Sequence, residues 1–270
     1  MTKQFSDASK RFYNHSSRGN QFKWVEDDVW YKADALGYEG LSEYVIAELL
    51  KHSSLKSDEY VDYQLEKLKI GNNVFNGCKS ISFLSPDEEL ITLERLFQLY
   101  AGESLTSYIS QISTVKERVR KTVDIFQTLC GFSGFGEYLS KIIVIDAMFL
   151  NDDRHFHNIA LIRNRMSEQY RFAPVFDNGA ALLSDMMYSY PYDIDIGSAC
   201  RSVKSKSFDE SFEKQLDAFE ELYGLNMTFS FSEEEIESVV QSAVIYEKKL
   251  RDRVISILKY QRNRFSYYFD

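Results

Sequence analysis

Cysteine is scarce in this chain, and none of it is paired in a CxxC or zinc-type spacing. Cys78, Cys130 and Cys200 are the three present. An odd number of scattered thiols suits a reducing compartment better than a disulfide framework. Positive charge is also short: 32 Lys and Arg stand against 41 Asp and Glu, a net charge of −9. That balance excludes a nucleic-acid partner held mainly by phosphate contacts, although Lys248–Arg264 is locally basic. The N-terminus, MTKQFSDASKRFYN, has no apolar signal core. The most apolar helical stretch, Tyr138–Leu150, is interrupted by Lys141 and Asp146 and is too short to span a bilayer. Internal repeats and low-complexity tracts are missing too. These absences place the chain in the cytoplasm, with secretion by a non-classical route left open, and without a membrane span.

What is present is a well-filled interior. The 270 residues are 44% apolar and 15% aromatic, enough for one large domain or two small ones. After an irregular start ending in HSSRGN, residues 21–34 alternate as a hairpin turning at Glu26–Asp28, with Lys32 near the end of its second strand. GYEGLSEYVIAELLKH has the apolar spacing of a helix, with Ser42 as a candidate cap. Residues 59–84 alternate as strands around a turn at Gly71–Asn73, and Pro86 with the acids after it marks a break. Helices are expected over 90–100, 105–130, 134–150, 207–223 and 232–268, the last opened by Ser232 as N-cap with acids in the first turn. Residues 183–206 read as irregular. The order predicts an α+β chain of two lobes: residues 1–85, small and β-rich with one helix, and residues 86–270, larger and mostly helical.

The densest chemistry lies in Asn151–Gly179, NDDRHFHNIALIRNRMSEQYRFAPVFDNG. Apolar runs at Ile159–Ile162 and Phe172–Phe176, split by a polar turn at Asn164–Gln169, predict a hairpin. A hairpin brings its ends together, so Asp153, Asn158 and Asp177 should converge. Oxygen ligands gathered in this way suit Mg²⁺, which keeps water and substrate phosphates in its shell. An Asp five residues before a metal-binding Asn, with a second Asp beyond the hairpin, is the arrangement of kinase-type phosphoryl transfer. In that scheme Asp153 orients the acceptor hydroxyl, and Asn158 and Asp177 hold Mg²⁺ against the phosphates of ATP. Lys32 meets phosphate oxygens as a point charge, and Glu43 pairs with Lys32. The turn SRGNQFK, with Gly19, Asn20, Gln21 and Lys23, covers the phosphates with backbone N–H groups. His155 and His157 lack a third His or a Cys at ligand spacing, so zinc is not expected; His155 props the loop beside the nucleotide. Each residue alone has a plain alternative as a turn, cap or solvated side chain. The signal is their order, with a lobe boundary in between.

These residues resemble a known family. Asp153-Arg154-His155-Phe156-His157-Asn158 matches the D-R-H-x-x-N catalytic loop of atypical kinases, and Ala173-Pro174-Val175-Phe176-Asp177 looks like the A-P-[IVL]-[FY]-D run of HipA-type serine/threonine kinases. Trp30-Tyr31-Lys32 and Leu41-Ser42-Glu43-Tyr44-Val45 are similar to the lysine and helix-C segments of the CtkA-type members, and Gly19-Asn20-Gln21-Phe22-Lys23 to part of their phosphate loop. The resemblance spans about residues 17–180. It implies a bilobal protein-kinase-like fold and ATP- and Mg²⁺-dependent phosphorylation of a protein serine or threonine. It also implies autophosphorylation of Ser16 or Ser17 as an off-switch, and an antitoxin or other regulatory protein as a candidate partner. The metal motif here is Asp-Asn-Gly rather than Asp-Phe-Gly, so no Phe-driven switch is implied. Two rivals stand beside it: a phosphoinositide or small-molecule kinase of similar fold, because D-R-H-x-x-N occurs there too, and a nucleotide-binding pseudokinase or interaction module.

Overall fold

Alternation along the first strands sets up the part of the molecule that carries Lys32. In the computed structural model, which describes residues 2–5 and 21–270, β1 (Thr2–Phe5), β2 (Lys23–Glu26), β3 (Val29–Ala33), β4 (Gln64–Ile70) and β5 (Asn73–Ile81) form one sheet in the order β1-β4-β5-β3-β2. All pairings are antiparallel except β1 with β4. The β2–β3 register brings Glu26 opposite Val29, so the turn is the two residues Asp27 and Asp28. Both have positive φ, 49° and 62°, as a type I′ hairpin turn requires and as Asp tolerates. The sheet curls until its edges meet: Lys3 of β1 pairs with Glu26 of β2 at 2.5 Å. Trp24, Tyr31, Ala33, Leu68 and Ile70 pack on one face of the curl. Lys32, one residue out of phase with Tyr31, points to the other face.

That other face is covered by α1 (Glu39–Leu50), whose side is almost wholly buried. Gly40 lets helix and sheet touch: a Cβ there would lie 2.6 Å from the Gly77 carbonyl carbon. Gly77 in turn allows the close approach of β5 and β3, because a Cβ on it would lie 2.1 Å from the Lys32 carbonyl oxygen. The helix begins after Tyr38 without a side-chain cap. Instead Glu39 folds back to accept from the N–H groups of Ala35 (3.2 Å), Leu36 (2.7 Å) and Gly37 (3.2 Å), and Asp34 accepts from Gly40 N–H at 2.6 Å. Ser42, the expected cap, is one turn inside the helix, where its hydroxyl donates to the Ala181 carbonyl at 3.1 Å.

The remaining chain is mostly helical, with a second sheet of order β6-β7-β8. Its first strand, β6 (Glu88–Thr92), corrects the expectation of helix from residue 90. Leu90 and Ile91 lie opposite Ile162 and Leu161, and a short apolar run of this kind has no periodicity to separate strand from helix. Thr92 then caps α2 (Leu93–Ala101) by accepting from Arg95 N–H. The helix expected over 105–130 is two, α3 (Leu105–Ser110) and α4 (Val115–Cys130), because Thr114 caps the second. Gly131, at φ 72°, ends α4. The central helix α5 (Phe135–Phe149) is apolar almost all round and buried, as expected of a helix enclosed by others. β7 (Ala160–Asn164) and β8 (Tyr170–Phe172) form the expected hairpin, but the second run leaves it after Phe172. Val175 pairs instead with the segment between α1 and β4, through Val61 N–H (3.0 Å) and the Glu59 carbonyl (2.8 Å).

The stretch expected to be irregular, 183–206, contains α6 (Ile196–Ser202). α7 (Phe212–Tyr223) follows. The long helix expected over 232–268 is interrupted at 243–247, giving α8 (Glu233–Ser242) and α9 (Lys248–Arg264). The Ser232 cap is present as a full capping box with Glu235. The interruption has a use, because α8 and the residues after it grip the first lobe. Ser242 bonds Tyr44 (2.8 Å), the Ile245 carbonyl accepts from Asn76 (3.2 Å), and Tyr246 donates to Asp34 (2.8 Å). Among the described residues no helix is long and apolar enough to cross a membrane.

Candidate active site

Where α5 ends, the chain turns through Leu150 (φ 57°) into the loop 151–159. The organiser of that loop is Arg154, a residue to which the motif alone assigned no role. Its side chain is 1% exposed. Nε lies 3.1 Å from both Asp146 oxygens, and Nη1 donates to the carbonyls of Asn158 (3.1 Å) and Phe176 (2.7 Å). Nη2 donates to Asn178 Oδ1 (2.6 Å). One guanidinium therefore ties α5, the catalytic-type loop and the segment carrying Asp177 together. Burial pushes the Asp146 carboxyl up to about 6, with Arg154 pulling the other way.

The convergence expected from the hairpin is present. Gln21, Lys23, Glu39, Asp153, Asn158, Asp177, Gly179 and Asp185 line one cleft between the two lobes. Asn158 donates its backbone N–H to the His155 carbonyl (2.8 Å) and its Nδ2 to the Asp153 carbonyl (3.0 Å), so its Oδ1 is the side-chain atom that could meet a metal. Asp177 sits at φ 60°, an uncommon region for a non-glycine residue. It is held from both sides: Arg154 binds the carbonyl before it, and the N–H of Asn178 after it donates to Glu43 Oε2 at 2.9 Å.

Lys32 and Glu43 meet as expected, at 2.5 Å. They are 7% and 0% exposed and reach the cleft through Asp177, whose Oδ1 is 2.8 Å from Lys32 Nζ and 3.5 Å from Lys23 Nζ. Tyr63, which the sequence did not single out, stands 3.4 Å from the same ammonium. Burial favours losing the Lys32 proton, but the charges of Asp177 and Glu43 prevail and hold its pKa well above the ordinary lysine value. Burial likewise works against the Asp177 charge, and Lys23, Lys32 and Arg154 overcome it, holding that carboxyl well below the usual carboxylate range. Lys32 and Asp177 are thus both charged at neutral pH: a cation that could meet phosphate oxygens, beside a carboxylate that could meet a metal.

Other expected residues fall elsewhere. Gly19 and Asn20 of the phosphate turn, and the modification candidates Ser16 and Ser17, lie outside the described residues. His155 does not line the cleft; it is half-buried below the loop, its pKa lowered by burial, and Nδ1 has no hydrogen-bond partner among the described residues. It supports Asn158 through its backbone carbonyl. Among the described residues no group of three His, Cys, Asp or Glu side chains is placed to hold a metal. Asn158 Oδ1 and the Asp177 carboxylate are a small oxygen set of the kind Mg²⁺ accepts when water and phosphates complete its shell. Sequence reasoning also missed Glu39 and Asp185 in the lining and Lys206, whose Nζ is 2.6 Å from Asp153 Oδ1. Lys206 is 53 residues from Asp153, and no local pattern marks it.

No protein-family model matches the chain, and no curated protein sequence matches it. Its structure is similar to the crystal structure of a Helicobacter pylori proinflammatory kinase, CtkA. The TM-score is 0.60, with 15% sequence identity, over 97% of this chain and 94% of that one. The fold is kinase-like. Its curled five-stranded sheet with α1 is the smaller lobe, the helical part from α2 onward is the larger, and the cleft with Asp153, Asn158 and Asp177 opens between them.

Proposed function

We propose that this protein is an ATP- and Mg²⁺-dependent, HipA-like serine/threonine protein kinase. The observation that carries this reading is the Asp177 carboxylate. It is held by Lys32 and Lys23 of the first lobe and lines the same cleft as Asp153 and Asn158 of the second. Phosphoryl transfer asks the protein mainly for positioning and charge, and each part has an owner here. Lys23 and Lys32 meet phosphate oxygens of ATP, with Glu43 fixing the direction of Lys32. Asn158 and Asp177 are the residues that hold Mg²⁺, which when bound neutralises charge on the phosphates. Asp153 orients the acceptor hydroxyl and takes up its proton as the oxygen bonds to the γ-phosphorus and the bond to ADP breaks. Ser16 and Ser17 are the candidate self-acceptors.

The test is transfer of label from γ-labelled ATP, with Mg²⁺, to the protein itself or to an added protein. The parent labels, and Asp153→Ala and Asp177→Ala do not. Equal labelling by parent and both variants overturns the mechanism. Product on a phosphoinositide with no protein labelled reassigns the acceptor, and saturable nucleotide binding without transfer makes the chain a nucleotide-binding module.

A further inference from the structure

We infer that Lys206 is a positioning residue for the acceptor half of the reaction: its ammonium sets the orientation of Asp153 and adds positive charge where the phosphoryl group is transferred. The inference rests on the kinase reading of the same cleft. Lys206 Nζ lies 2.6 Å from Asp153 Oδ1, with the lysine side chain 40% and the aspartate side chain 10% exposed. The pair therefore stands at the mouth of the cleft, with the carboxylate nearly enclosed and the ammonium reaching solvent. The neighbouring cation on the catalytic-type loop cannot do this job. Arg154 is turned inward onto Asp146, Asn158, Phe176 and Asn178, so its guanidinium supplies no positive charge at the outer side of the loop.

The segment that delivers Lys206 is fastened to that loop. Ser207 Oγ donates to the Arg154 carbonyl at 2.8 Å. Phe208 packs edge-to-face on Phe156 at 5.3 Å and on Phe219 at 5.4 Å, and its N–H donates to Gln215 Oε1 at 3.3 Å. Ser205 N–H donates to the Glu210 carbonyl at 2.9 Å. Residues on both sides of Lys206 are thus held, and the ammonium meets Asp153 without the chain being ordered for the purpose. An aspartate that must aim at a hydroxyl gains from having its rotation fixed. A cation placed beforehand near the transferring phosphoryl offsets charge in the transition state without reorganisation. Lys204, on the other side of Ser205, is a built-in control: it belongs to the same segment but pairs with Glu210 at 2.6 Å.

The experiment compares parent, Lys206→Met, Lys206→Arg and Lys204→Met in protein phosphorylation with Mg²⁺ and ATP, with nucleotide affinity and melting midpoint recorded for each. Lys206→Met is expected to lower kcat about 100-fold with KM for ATP within about two-fold, as for loss of an interaction made in the transition state. Its melting midpoint should move by less than about 2 °C, as for a solvent-reaching ion pair. Lys206→Arg should recover part of the loss, and Lys204→Met should match the parent. Lys206→Met with a kcat within about two-fold of the parent, or Lys204→Met falling as far as Lys206→Met, overturns the role of Lys206 and leaves the kinase reading standing. A folded parent that transfers no phosphoryl group overturns the kinase reading, and this inference with it.

Discussion

The two ends of the cleft are built differently. At the end proposed for the nucleotide, Lys32, Glu43 and Asp177 come from a strand, a helix and a loop of two lobes, and they pair at 2.5 and 2.8 Å with little or no water around Lys32 and Glu43. At the end proposed for the acceptor, Asp153 and Lys206 come from two loops of one lobe, and the cation stays 40% exposed. A buried ion network has only one good arrangement, because any unpaired charge there is costly. A pair whose cation reaches solvent loses less when it opens, because water can replace that partner. Under the proposed kinase reading, the first construction suits a ligand that is always the same, and the second an acceptor that must enter and leave.

The comparison is broken or sharpened most strongly by exchanging one carboxylate at each end. Asp177→Asn should reduce phosphoryl transfer by at least about 10³-fold and weaken nucleotide binding, whereas Asp153→Asn should reduce transfer as far and leave nucleotide affinity near that of the parent. A fluorescent nucleotide titration beside the labelling assay decides this; equal loss of affinity in both variants would mean that the two ends are not separate.

Next in size is stability. Arg154→Leu removes one partner of a buried pair and strands Asp146, so denaturant unfolding should show a loss of about 3–5 kcal/mol, whereas Lys206→Met should cost at most about 1 kcal/mol. Similar losses would contradict the assignment of Arg154 as the buried tie and Lys206 as the surface partner.

The smallest effect concerns the support beneath Glu43. Burial, together with the charge of Glu39, pushes the Asp34 carboxyl from about 3.8 up to about 7, against the bonds from Gly40 and Tyr246. The folded protein then keeps a proton that the unfolded chain has already released. Stability should therefore fall as pH rises from about 4 to about 7 and level off above that. Asp34→Asn cannot ionise, so it should escape that fall. It should match the parent near pH 4 and exceed it by roughly 1–3 kcal/mol at pH 8 in unfolding experiments. A parent whose stability rises over this window would rule out the assignment.

Much of the site was legible because its members are close in sequence or joined by one hairpin. Asp153, Asn158 and Asp177 belong to a single strand–turn–strand pattern, and Lys32 and Glu43 stand on the next strand and helix whose periods can be read directly. The misreadings have equally definite causes. Residues 90–92 looked helical because the strand they end, Glu88–Thr92, is too short to show a period. Ser42 looked like a cap because Glu39 and Asp34 do the capping work from positions that ordinary cap rules do not cover. The break between α8 and α9 carries no Gly or Pro; Tyr246 and Ile245 are held there by their bonds to the first lobe.

By itself, then, the sequence determined the alternation that points Lys32 inward, the hairpin that gathers Asp153, Asn158 and Asp177, the cap of α8, and the acidic balance. All of these are set by interactions within a few residues. Only the tertiary structure decided that Arg154 faces inward, that Lys206 meets Asp153 from 53 residues away, and that the C-terminal helices clasp α1. Those outcomes depend on which surfaces pack and which charges lose water together, and neither is written in any local stretch of the chain.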